Sequence, residues 1–111
     1  MTRTSGAQLA AWIRTGLALP NIIERCDSFG EQVDDDFRGC ALFICLAGKL
    51  GSAAAAYRTA RGCNIGDFAD ELEIDHDFAD DISYAHCYGL TAIKIADRLE
   101  GGTVFRRRRS P

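Results

Sequence analysis

The run Cys40-Ala41-Leu42-Phe43-Ile44-Cys45-Leu46-Ala47 carries no charged side chain and no polar face at either the helical or the strand period. With Arg38 and Gly39 before it and Gly48, Lys49 and Leu50 after it, the segment reads as one helix over residues 38–50 that is apolar on every side. A helix of that kind has to be covered all round. In a short chain it is either the central element of the core or a helix whose burial is completed by a second subunit. Gly51 and Ser52 stop it and start the next helix, since glycine favours the position past a helix end and serine the N-cap.

Working outward, helix punctuation is dense. Ser5 caps a first helix running to about Leu19, with Leu9, Trp12, Ile13 and Leu17 on one face, and Pro20 ends it. Asn21 followed by Glu24 has capping-box spacing, which predicts a second helix with Ile22, Cys26 and Phe29 on its face and Gly30 just past its end. Glu31, Asp34, Asp35 and Asp36 then read as an acidic connector whose carboxylates favour the N-terminus of the central helix. A fourth helix covers Ala53 to Ala56, Tyr57, Arg58 and Arg61, closed by Gly62. Asp67-Phe68-Ala69-Asp70 returns as Asp77-Phe78-Ala79-Asp80 and predicts two further helix starts, the second capped by Asp75 and ending at Gly89. Thr91 caps the last helix, with Ile93, Ala96 and Leu99 facing inward, and Gly101-Gly102 stops it. No long alternating segment is present. The expected fold class is all-α: a compact bundle of about five or six short helices around the central helix at residues 38–50, forming a single domain over residues 1–102, with a basic C-terminal tail at residues 103–111.

The 111 residues suit one domain, and 47% hydrophobic with 26% charged residues argues against wholesale disorder and a polytopic membrane protein. The longest apolar run is too short to span a bilayer. Arg3 and Arg14 precede the first acid, Glu24, a faint leader-like signal outweighed by the core-facing pattern of the same residues. Five cysteines, an odd number with no Cys-x-x-Cys pair, suggest a reducing compartment, so the expected location is cytoplasmic. Cys26, Cys40 and Cys45 lie in apolar patterns and read as small core residues. The net charge of −3 hides an asymmetry. Without Arg106, Arg107, Arg108 and Arg109, 9 basic groups face 16 acidic ones, an acidic body with a basic tail.

Signals for chemistry are sparse. Glu73 and His76 form one Glu-x-x-His step, the pairing used in carboxylate-bridged di-metal sites. Such a site needs two steps and two more carboxylates, so this step alone predicts neither a metal nor a cofactor. His86 and Cys87 are adjacent, and on a helix adjacent side chains diverge by about 100°; His86 is expected to favour the helix C-terminus instead. No phosphate loop and no small-molecule site is evident. Two functions are left. The first is a non-catalytic helical module that self-associates as a homo-oligomer, with the seam at Leu46, Leu50, Ala54 and Ala55. The alternative is a nucleic-acid-binding regulator in which a helix-turn-helix-like region at residues 78–100 presents Lys94 and Arg98, and Arg106 to Arg109 act as an arm.

Overall fold

The computed structural model describes residues 3–102. The tail at residues 103–111, with its four arginines, lies outside the described residues. In chain order the elements are α1 (Gly6–Ala18), β1 (Ile22–Glu24), β2 (Glu31–Val33), β3 (Asp36–Gly39), α2 (Ala41–Leu50), α3 (Ala53–Ala60), α4 (Ile65–Leu72), α5 (His76–Cys87) and α6 (Ala92–Glu100). About 60% of the described residues are helical, and a three-stranded sheet accompanies the helices. The fold is therefore mostly helical but not all-α.

Helix α2 is the centre. All seven residues from Ala41 to Ala47 are at most 2% exposed within the single chain. The chain's own helices and sheet cover this apolar run completely, so the burial of residues 41–47 does not call for a second subunit. The reason lies in two glycines. A Cβ on Gly48 would overlap the carbonyl oxygen of Trp12 and stand 2.9 Å from the Gly16 nitrogen, and a Cβ on Gly16 would overlap the carbonyl oxygen of Ile44. The α1 and α2 backbones touch there, closer than any residue with a side chain allows. That contact rotates α1, so its fully buried face is Leu9, Ala10, Ile13 and Gly16, while Trp12 and Leu17 pack at the margin. The other side of α1 lies on α6, where a Cβ on Gly6 would sit 2.6 Å from the Leu99 carbonyl oxygen.

Most helix boundaries follow the local signals. Ser5 accepts the Gln8 N–H (3.1 Å), Ser52 the Ala55 N–H (3.1 Å) and Thr91 the Lys94 N–H (3.4 Å). Asn64 and Asp67 form a reciprocal capping box at the start of α4, with 3.0 Å for each bond. Phe68 and Leu72, an i, i+4 pair, are both buried on the inward face of α4. On α6 the buried residues are Ala92, Ile95, Ala96 and Leu99, whereas Ile93 faces outward, a shift of the inward face from the expected set.

Residues 21–39 depart from the helical expectation. Asn21 has φ 66°, a left-handed conformation incompatible with the extended backbone of an N-cap. The helix expected over residues 22–29 is instead β1 followed by a turn. Ile22, Ile23 and Glu24 pair parallel with Phe37, Arg38 and Gly39. The acidic connector is a hairpin: Glu31, Gln32 and Val33 pair antiparallel with Arg38, Phe37 and Asp36, and Asp34 turns the chain at φ 55°. Arg38 and Gly39 thus belong to β3, and α2 begins at Ala41. None of the aspartates caps α2; its N-cap is Cys40, which contributes no side-chain bond.

Replacing Gly48 with alanine forces α1 and α2 apart along their whole contact. We expect Gly48→Ala to lower the unfolding free energy by about 3 kcal/mol, at the upper end of overpacking costs. Urea denaturation monitored by circular dichroism measures this, and a loss below roughly 1 kcal/mol would show that the helices separate without penalty.

Candidate functional site

The most connected polar cluster lies where the sheet meets three helix ends. The cap of α2 is missing at Cys40, so its first amide needs an acceptor from elsewhere. That acceptor is His86, in the last turn of α5: the Ala41 N–H donates to its Nδ1 at 3.3 Å. An N–H can only donate, so Nδ1 is the bare nitrogen and Nε2 carries the hydrogen of a neutral imidazole. Nε2 donates to Glu24 Oε2 at 2.5 Å. The same carboxylate oxygen accepts the N–H of Ala92, the first residue of α6, at 2.8 Å. The His86 side chain is only 3% exposed, and that of Glu24 30%. The pair therefore satisfies two helix N-termini at once, α2 through the imidazole and α6 through the carboxylate, whose negative charge the α6 dipole favours.

This geometry argues for positioning rather than chemistry. A histidine acting as general base needs a bare nitrogen within reach of the proton it takes. Nδ1 is occupied by a backbone amide and Nε2 is already a donor. Cys87, next in sequence, points away from His86 and is exposed; its thiol donates to the Cys26 carbonyl oxygen at 3.2 Å. The expected alignment of His86 with its own helix C-terminus does not occur, because the ring reaches α2 instead. Cys40 is buried beside this cluster, and burial pushes its thiol up to about 11, away from nucleophilic use. Cys45 is raised further for the same reason.

The Glu73–His76 step does not form. Glu73 ends α4 at φ 58° and His76 begins α5, so the two residues lie on different helices. His76 Nε2 meets Asp70 Oδ1 at 2.9 Å on the surface. Among the described residues no group of three or more His, Cys, Asp or Glu side chains is placed to hold a metal ion.

The remaining predicted positions spread over the surface and core. Leu46 is buried among the chain's own helices, so it offers nothing to a seam, whereas Leu50 is exposed and Ala54 and Ala55 are half-buried at the adjoining start of α3. Lys94 and Arg98 are exposed on α6. Arg14 of α1 binds Asp97 at 2.7 Å and Glu100 at 2.5 Å. Arg106 to Arg109 lie outside the described residues. Two residues of consequence lacked a signal in the sequence. Glu24 was absorbed by its capping-box spacing with Asn21, and His86 makes its bonds across separations of 45 and 62 residues. No described helix is long and apolar enough to cross a membrane. Compared with known protein families, with curated proteins and with solved structures, the chain matches none.

The positioning role of Glu24 has a graded consequence. Glu24→Ala leaves the His86 and Ala92 N–H groups without their acceptor and is expected to cost about 2–3 kcal/mol; Glu24→Gln keeps an acceptor oxygen and is expected to cost about 1 kcal/mol. Equal losses for the two variants in guanidinium unfolding would rule out the double-cap reading.

Proposed function

We propose that this chain is a non-catalytic helical module that acts by self-association. The observation that carries the proposal is the aromatic pair at the end of α5. Tyr84 and Tyr88 stack with ring centroids 4.3 Å apart, and Tyr88 is 75% exposed. Exposed tyrosines of this kind are the residues that anchor protein interfaces, because they bring large apolar area with few rotamers to freeze. Ile93 is exposed on neighbouring α6, and Leu50 is exposed at the α2–α3 corner beside Ala54 and Ala55. The occupied ring nitrogens of His86 support a role without catalysis.

A homo-oligomer built on the tyrosine pair is expected to dissociate when a charge is placed there. Tyr88→Glu should shift the sedimentation coefficient toward that of a 12.1 kDa monomer, with its helical content unchanged. Ala54→Glu, on the other corner, should leave the assembly intact if the tyrosines form the seam and break it if the alanines do. A wild-type chain that sediments as a monomer at high concentration overturns the proposal.

One observation favours a second reading, nucleic-acid binding. Arg14 pairs with both acids neighbouring Lys94 and Arg98 on α6, Asp97 and Glu100, and its single charge offsets one of the two. Lys94, Arg98 and Arg14 thus set three cations against two acids there, a slight positive excess. The acids of α5, Asp77, Asp80 and Asp81, weigh against it. If the reading holds, duplex DNA binding falls with salt, and Lys94→Ala or Arg98→Ala each lowers the salt slope by about one. Salt-insensitive binding, or none in low salt, excludes it.

A further inference from the structure

We propose that Cys26 and Cys87 form a redox-reactive dithiol, which a low-molecular-weight disulfide of the glutathione type oxidises to an intramolecular disulfide. The sequence pattern places Cys26 in the core, but the turn after β1 carries it to the surface, and Cys87 is exposed as well. The Cys87 sulfur lies 3.2 Å from the Cys26 carbonyl oxygen. That oxygen is two bonds from the Cys26 Cα, so the two residues stand side by side, and a disulfide between them needs only their sulfurs to turn toward each other. Partial burial and then the neighbouring Cys26 side chain, by charge and by hydrogen bonding, push the Cys87 thiol upward, which suits it to the second, resolving attack rather than the first.

The other thiols are differently placed. Cys40 and Cys45 are buried, and Cys63 donates to the Thr59 carbonyl oxygen of its preceding turn at 3.1 Å. The exchange is balanced. One cysteine thiolate attacks a sulfur of the reagent R–S–S–R, forming a mixed disulfide and expelling R–S⁻. The second thiolate attacks the protein sulfur of that mixed disulfide, forms the Cys26–Cys87 bond and expels a second R–S⁻. The two protons of the protein thiols end on the two R–SH products; the protein loses two electrons and the reagent gains them. The new bond joins the end of β1 to the end of α5 across 61 residues of sequence, beside the His86–Glu24 contact. A closed loop of that length restricts the unfolded chain, so oxidation stabilises the fold.

The test treats the full chain, folded, with oxidised glutathione, followed by intact mass, a non-reducing peptide map and thermal unfolding. The wild type is expected to lose two hydrogens, to yield one linked peptide pair containing residues 26 and 87, and to melt several degrees higher, all reversed by dithiothreitol. Cys26→Ser and Cys87→Ser should each stop at a glutathione adduct on the remaining cysteine, and Cys63→Ser should behave as the wild type. Four results overturn the proposal: glutathione retained on both cysteines without a crosslink, a crosslink to Cys40, an unmodified wild type, or a crosslinked protein that melts lower.

Discussion

The backbone contact between α1 and α2 at Gly16 and Gly48 is the constraint on which the other elements depend. Helix α2 has no polar face, so every direction around it must be closed by protein. A chain of this size has few helices to spend on that task. Letting one helix approach to backbone contact shortens the perimeter left to cover, and the sheet, α3, α4, α5 and α6 then suffice. The glycines carry an entropic cost in mid-helix of about 1 kcal/mol each relative to alanine. Tight packing offsets it, because dispersion falls steeply with separation and the α1–α2 seam runs through the middle of the core.

Burying α2 on all sides also buries its N-terminus, and there the residue in the N-cap position is a cysteine. The amide of Ala41 cannot turn to solvent, and an unpaired buried N–H costs about 1–3 kcal/mol. His86 resolves this from α5. Its imidazole then has a second nitrogen to satisfy, and that nitrogen requires an acceptor at the sheet, which is Glu24. Once Glu24 is fixed there, its carboxylate also receives the first amide of α6. Among the described residues no buried side-chain nitrogen or oxygen is left without a partner. A single need at one helix end thus propagates to the sheet and to two more helices. It also explains why residues 22–24 are extended: as a strand beside β3 they hold Glu24 against α5 and α6.

The helices were legible in the sequence because their signals are local. Ser5, Ser52 and Thr91 cap within three residues, Gly51 and Gly62 stop within one, and Phe68 with Leu72 needs only the helical period. The sheet was not legible, because its cause is not local. Asn21 and Glu24 have the spacing of a capping box, and nothing nearby reveals that Asn21 turns left-handed or that Ile22 pairs with Phe37. Three- and four-residue strands are too short to display an alternating pattern. The same limit hid the polar site. Glu24 and His86 are 62 residues apart, and each has a sufficient local explanation that the fold does not use. Cys26 inherited its core assignment from the helix that does not form, and so its position beside Cys87 could not be read.

The arrangement also separates what the interior can do from what the surface can do. Chemistry by an imidazole depends on a nitrogen that changes partners during a cycle. Each bond of His86 holds a different secondary-structure element, so releasing the proton on Nε2 or adding one to Nδ1 would loosen α2, α6 or β1. A group bound into the fold in this way resists the motion that turnover demands. The side chains able to act without disturbing the core are those outside it: the stacked tyrosines, the cations of α6 and the exposed thiols of Cys26 and Cys87. Tyr88 and Cys87 are consecutive and lie at the point where α5 stops, next to the His86–Glu24 cluster that joins three helix ends. A partner bound at the tyrosines and a bond formed at the thiols would act on the same corner of the molecule.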